Sequence, residues 1–381
     1  MSFNQYTWDL YKQTTIGIEM IKYFSDAGGY VLFKDYCPYA NFIPEDLYND
    51  WLENIYCYGV SDYDHPSSLE EAKDLYISLI TLGIRVEGQQ WLPANDFKNM
   101  LGIIQPMSYV LSQFAPEYFF PYLFLCRIFE LNKIADFFNI DLPNIPKRTD
   151  YKGRCMYYWE LCEVFYLFRK ENGLSPADLW SFLYDFAPNN LPSEKIDMPK
   201  PSQVWFIGGR LYQEDKSLES KFWQSSPETK KGDILVHYET SPISAITCIE
   251  TSLTDGVIDP LFRYYGCIYI GNRINIPHIT LKELQTDEYF FKHPLVRKNF
   301  QGVNGWSVNS ENYSELLRMI KTKGFDIEVL PKLYAPTLPK DVIIEYEHDV
   351  EQQLLEPLLN SMGWYCLLYT SPSPRDVEES R

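Results

Sequence analysis

Eight cysteines and five histidines are the side chains of this 381-residue chain most able to ligate metal or act as nucleophiles. The cysteines fall at irregular spacing, with no CxxC pair and no Cys/His cluster. That argues against a zinc module and a disulfide framework, and fits a reducing cytoplasm. Free thiols are among the most buried side chains, so a redox role is not indicated. His65, the sole histidine of residues 1–195, precedes Pro66 in a turn-like stretch. No catalytic constellation stands out. The chain is expected to carry no catalytic residue, no metal site and no cofactor.

Elements must position whatever else the chain does. Residues 1–195 read as a helical domain of unassigned role. Ser67 and Ser68 followed by Glu70 and Glu71 predict a capped helix start running through Ile80. Tyr157, Leu161, Val164, Phe165 and Phe168 recur at helical spacing, with Gly173 as the stop. Ser175-Pro176-Ala177-Asp178 opens a further helix, with Ser at the cap and Pro at the first position. The most apolar stretch, Tyr118 to Phe129, is too short to span a bilayer and is expected to be a buried helix.

Pro192 to Pro201 is a polar, proline-bounded linker, after which the period changes. Val204–Ile207, Asp233–Tyr238, Ala245–Ile249 and Phe262–Ile270 are β-branched and aromatic runs separated by Gly, Pro and Asp, and predict strands. Ile279–Asp287 and Glu311–Thr322 predict helices, the second capped by Ser310 and stopped near Gly324. The fold class is α+β multidomain: a helical domain over 1–195, then a β-barrel with appended helices over 200–325. A second linker, Pro331 to Pro339, precedes an amphipathic helix over Val350–Gly363.

The formal net charge of −18, taken over the whole chain, counts against a nucleic-acid partner, but its distribution does not. Residues 200–325 hold 15 Lys and Arg against 14 Asp and Glu, and the remainder 19 against 38. The acidity lies outside the central region, and field arguments apply domain by domain. No secretory signal is visible at the N-terminus. A cytoplasmic location is expected.

The central region resembles the EVE domain, a PUA-like and YTH-like barrel. Lys231-Gly232-Asp233 with the run Ile234–Tyr238 is similar to the family's KGD-plus-strand segment, and Ile279-Thr280-Leu281-Lys282-Glu283-Leu284 to its VTLxEL. Pro294-Leu295-Val296-Arg297 and Gly305-Trp306-Ser307-Val308 follow in order, like its LVR and SV elements, with Tyr313–Ile320 as the closing helix. The family's early Asn-rich loop is not recognisable, and Phe222-Trp223 stands in its approximate place.

The resemblance implies a reader of DNA carrying modified bases, in which a base leaves the stack and enters an aromatic pocket. Such a pocket needs aromatic walls and a few amides or hydroxyls for the polar edge of the base. Trp205, Trp223, Tyr238 and Trp306 could supply the walls, and Thr240, Asn299, Gln301 and Asn304 the polar groups. Lys230, Lys231, Arg297 and Lys298 would hold phosphates at its mouth. A core position is the competing role for each tryptophan. PUA-like folds also serve RNA, so an accessory of RNA modification is the alternative, and an acidic protein-interaction scaffold a third.

Glu345–Gly363, within a segment placed at 340–365, resembles the first helix of the restriction-endonuclease-like domain of type I restriction R subunits. Glu347 and Glu351 are the two candidates for that superfamily's early helical Glu. Its PD-(D/E)xK carboxylates, which would hold magnesium, have no counterpart here. The setting implied is prokaryotic defence, with this chain binding and not cutting. Beyond it, Cys366–Asp376 reads CLLYTSPSPRD, a word that one choice of codons turns into a transposase-library adapter. Residues 366–381 are expected to be adapter translation, with the native sequence diverging near Tyr365.

Overall fold

Local signals set most helix ends. Ser68 caps the helix Leu69–Leu82 by accepting the Glu71 N–H, while the Glu71 carboxylate takes the N–H and O–H of Ser67. Ser175 and Asp178 form a reciprocal capping box with Pro176 at the first helical position. Gly173, at φ +62°, follows the helix Tyr151–Glu171, where a left-handed residue ends a helix without a Cβ clash.

A computed structural model describes residues 3–38, 40, 43–86, 89–192, 198–210, 220–334 and 347–361. It is a mixed α+β structure divided into two compact units. The first comprises 1–197, 217–228 and 254–270, and the second 198–216, 229–253 and 271–381. The boundary therefore differs from one drawn at the proline linkers, because two segments of 200–325 group with the helical unit.

Side-chain chemistry explains that grouping for 254–270. Arg154, buried in the helix Tyr151–Glu171, donates from Nε to Pro260 O at 2.8 Å and from Nη2 to Phe262 O at 2.7 Å. Asp259, fully buried, accepts the Cys126 N–H at 3.1 Å. Tyr265 donates to Pro146 O at 2.6 Å and Tyr269 to Cys126 O at 3.2 Å.

In the helical unit a small antiparallel hairpin, β1 (Ile84–Val86) and β2 (Gln89–Leu92), interrupts the helices. The stretch expected as a helix over Tyr118 to Phe129 is buried, but it is irregular until a helix begins at Ile128. Pro121 removes one backbone donor, and aromatic hydroxyls replace the helical hydrogen bonds. Tyr158 donates to Phe120 O at 2.8 Å, Tyr184 donates to Pro121 O, and Tyr184 Oη accepts the Leu123 N–H. Ser108 Oγ accepts the Tyr122 N–H at 2.8 Å. Buried tyrosines thus satisfy backbone groups that would otherwise lack partners. Among the described residues no helix is long and apolar enough to cross a membrane.

The remaining strands are β3 (Val204–Gly209), β4 (Ser220–Gln224), β5 (Ile234–Glu239), β6 (Ala245–Ser252), β7 (Val257–Ile258), β8 (Gly266–Thr280) and β9 (Trp306–Val308). β8 starts later than expected, because residues 262–265 form a turn. Within the second unit the sheet order is β8–β6–β5–β3–β9. β3 and β5 are parallel, with Val204 beside Ile234 and Gly208 beside Tyr238, while β5–β6 and β3–β9 are antiparallel. Among the described strands this path is open.

One face of the sheet carries Val204, Phe206, Ile234, Val236 and Tyr238, and forms a core with Leu284, Leu295, Leu316 and Ile320 from the helices. The closing helix, Ser310–Thr322, is capped one residue earlier than expected, by Asn309. Residues 347–361 are helical, and Glu351 is exposed. The 366–381 segment lies outside the described residues.

Candidate nucleic-acid interface

The motifs of the second unit do local structural work. Thr280 caps the short helix Leu281–Thr286 in a reciprocal box with Glu283, and Leu284 enters the core. The Lys323 ammonium, 2.6 Å from Glu283, together with the Thr280 donors, pulls that carboxyl down to about 2. Thr280→Ala removes the cap, and thermal unfolding should register a loss of about 1 kcal/mol. An unchanged transition would mean the box is ornamental.

The Lys-Gly-Asp turn is a hydrogen-bond clamp. Gly232, at φ +92°, lies where a Cβ would meet Pro199 O at 2.5 Å. Asp233 Oδ2 accepts the Lys230 N–H at 2.8 Å and the Trp205 Nε1–H at 2.9 Å, and Oδ1 accepts the Gln203 N–H at 3.1 Å. Trp205 is thereby buried with its polar edge committed to this end of β3.

The opposite end of the same strands holds an aromatic cluster. Tyr238 stacks on Phe300 at a centroid distance of 4.0 Å and an interplanar angle of 2°. Phe206 meets Phe300 and His293 edge-on at 5.5 and 6.0 Å, and His293 meets Trp306 at 6.4 Å. Tyr238 and Phe300 are buried, whereas Trp306 is half-buried. His293 Nδ1 accepts the Leu295 N–H, which leaves the ring proton on Nε2, and burial lowers its pKa, favouring the neutral ring.

Asn299 and Phe300 both adopt left-handed φ, at +50° and +58°. A bulky residue there is uncommon and costs about 1–2 kcal/mol. The Phe300 N–H donates to Leu295 O at 2.8 Å, holding the turn that sets its ring on Tyr238.

The expected site residues separate. Tyr238, Trp306, Asn299, Gln301 and Asn304 sit at or near the cluster, and Thr240 closes the turn after β5, its N–H donating to Gly209 O. Asn304 brackets Gly208, accepting its N–H at 2.8 Å and donating to its O at 3.0 Å, so its amide extends the β3 ladder. Asn299 Oδ1 accepts from Gln285 at 3.0 Å. Arg297, Lys298 and Gln301 are exposed.

Lys230 and Lys231 lie at the clamp. Five residue steps along the strand separate Asp233 from Tyr238, about 17 Å at ~3.3 Å per residue. Those two lysines therefore do not flank the aromatic cluster. Trp223 falls in β4, in the helical unit.

Phe206, His293 and Phe300 escaped the sequence reading. His293-Pro294 as cap and first position of a helical turn was a usable signal for His293. Nothing local marks Phe300 for the left-handed region.

No family model matches the chain, and no curated protein matches it. Among solved structures, an NMR structure of a Rhodopseudomonas palustris protein is 14% identical, with a TM-score of 0.28, covering 32% of this chain and 94% of that one. A hypothetical protein from Leishmania major is 12% identical, with a TM-score of 0.27, covering 32% and 98%. At those scores neither likeness bears on fold or function.

Two concavities of about 350 and 370 Å³ lie in the helical unit and meet at His65, whose ring stacks on Phe114 at 4.0 Å. The first is lined by Leu52, Tyr56 and Tyr109, the second by Asp64, Glu71 and Asp74. Three side chains able to ligate a metal, His237, Cys248 and Glu250, lie together in the sheet unit.

Proposed function

We propose that the sheet unit is a PUA-like reader that takes a modified DNA base against its aromatic cluster. The observation that carries this reading is the half-buried Trp306 on strand β9, continuous with a loop that exposes Arg297, Lys298, Asn299 and Gln301. An indole face offers stacking to any base, amides offer donors and acceptors to its edge, and the two cations suit phosphates. The near balance of charge in 200–325 removes the repulsion that the whole-chain charge suggests. A defence setting, with a magnesium-dependent nuclease in the native protein, belongs to the same proposal and rests on the likeness of Glu345–Gly363.

The test uses the full chain, because residues 217–228 and 254–270 group with the helical unit and an excised 200–325 fragment lacks their surroundings. Fluorescence anisotropy would compare DNA and RNA oligonucleotides carrying unmodified and modified cytosine and adenine. Trp306→Ala should weaken the preferred modified DNA by about 1–3 kcal/mol, roughly five- to 140-fold, and plain DNA less. Arg297→Ala with Lys298→Ala should weaken both equally and reduce the salt slope by about two. Equal binding to every modification would sink the reading, and preference for RNA would move the site to RNA modification.

A further inference from the structure

The face of the sheet opposite the aromatic cluster carries a polar group that the proposed reading does not use. Along β5, Val236 and Tyr238 enter the apolar core, so His237 between them points to the other face. Cys248 on β6 is its direct antiparallel partner, and Glu250 lies two residues further along β6 on the same side. His237 and Cys248 are fully buried and Glu250 is 2% exposed.

One potential ligand atom from each of the three lies within 4.8 Å of the others. His237 Nδ1 is 2.9 Å from Glu250 Oε2. Arg273 engages the other carboxylate oxygen, Oε1, with Nε at 2.8 Å and Nη2 at 2.7 Å.

We infer that His237 Nδ1, Cys248 Sγ and Glu250 Oε2 form a binding site for a thiophilic divalent cation of the zinc class. A tetrahedral ion with zinc's bond lengths of 2.0–2.3 Å sets its ligand atoms roughly 3.4–3.7 Å apart, so the 2.9 Å pair of Nδ1 and Oε2 must open by about half an ångström, while all three atoms already lie within 4.8 Å of one another. Imidazole and thiolate suit zinc rather than magnesium or calcium, which prefer oxygen throughout. Arg273 is placed as an outer partner. It occupies Oε1 and orients the carboxylate, leaving Oε2 turned to the histidine, an arrangement common behind metal-bound carboxylates.

Binding balances as follows. Starting from the neutral imidazole with its proton on Nδ1, the ion replaces that proton, which re-adds at Nε2, and the Cys248 thiol proton leaves to solvent. With Glu250 and Cys248 negative and Arg273 and the ion positive, the group carries one net positive charge. Burial pushes the Cys248 thiol up to about 12, so without the ion the sulfur stays protonated.

Full-length chain with Cys57→Ser and Cys366→Ser, to remove the exposed thiol and the one in the tail, would be titrated with cobalt and then with zinc. The expected result is one equivalent bound, with a thiolate-to-cobalt charge-transfer band that zinc displaces. Adding Cys248→Ser should abolish the band and weaken zinc binding by more than about a hundredfold, beyond the loss typical of an outer-partner change. Cys267→Ser should leave both intact. If Cys248→Ser fails to fold, zinc-edge X-ray absorption of the parent chain decides instead, by one sulfur in the coordination shell. Failure of the parent chain to bind cobalt or zinc, a band surviving Cys248→Ser, or a shell without sulfur would each overturn the site. None of these readouts depends on nucleic-acid binding.

Discussion

Asp233→Ala is expected to destabilise the sheet unit by roughly 3–5 kcal/mol, the largest effect of any single change considered. The carboxylate is 1% exposed and accepts from Lys230, Gln203, Trp205 and Ser202. Burial raises its pKa, and the four donors oppose that rise without cancelling it. Alanine leaves the donors facing no acceptor, at about 1–3 kcal/mol for each one that stays dry. The half-buried Ser202 and Gln203 can recruit water, which keeps the sum below the additive limit.

The loss should appear in urea unfolding followed by tryptophan fluorescence, since Trp205 itself reports on the clamp. Asp233→Asn, which retains one acceptor oxygen but sets an amide NH2 against the other donors, should fall between. A loss under about 1 kcal/mol for the alanine variant would show that the clamp is not what joins the starts of β3 and β5.

The second large effect is a pH dependence arising in the helical unit. Asp259 is fully buried, and burial raises its pKa to about 6, with the N–H groups of Cys126, Leu261 and Phe262 and the charge of Arg154 acting in the opposite direction. Its folded-state pKa thus lies above the ordinary 3.8. Between those values the folded chain holds a proton that the unfolded chain has released. Stability from this group is therefore fully present below about pH 3.8, declines as pH rises through 6, and is flat above that. A rise of about two pH units corresponds to roughly 3 kcal/mol.

Asp259→Asn keeps an acceptor for Leu261 and Phe262 and removes the titration. Other carboxylates titrate in the acid range too, including Glu283 and Asp287, whose partners lower their pKa values. The informative quantity is consequently the difference between parent and variant. That difference should change by about 2.4 kcal/mol between pH 4 and 7, with the variant gaining relative to the parent as pH rises. A constant difference would mean that Asp259 does not titrate in this window.

Much of the local structure was legible in the residues. The Ser68 and Ser175 caps, the left-handed Gly173 and the strands β3, β5 and β6 follow from side chains acting within about four positions, or from a period of two, whereas the helix expected from Ile279 starts at Leu281 because β8 runs through Thr280. The mixed α+β class followed from the same signals. The closing cap at Asn309 rather than Ser310 shows the limit of such reading, since both residue types satisfy the same donor.

What tertiary structure decided was which partner each polar or aromatic group found. Tyr118 to Phe129 is apolar enough for a buried helix, yet Tyr158, Tyr184 and Ser108 supply hydrogen bonds to an irregular chain. Trp205 was a candidate pocket wall until the Asp233 carboxylate claimed its indole N–H, and Asn304 a candidate base reader until it bridged Gly208. Phe300 reached Tyr238 only through a left-handed turn that Asn299 accommodates easily but that a phenylalanine does not announce. His237, Cys248 and Glu250 are unremarkable at their sequence spacing and become a group only when β5 and β6 pair in register. Capping and alternation depend on neighbours that the chain always supplies. A contact between distant residues depends on register and burial, which exist only after the sheet has formed.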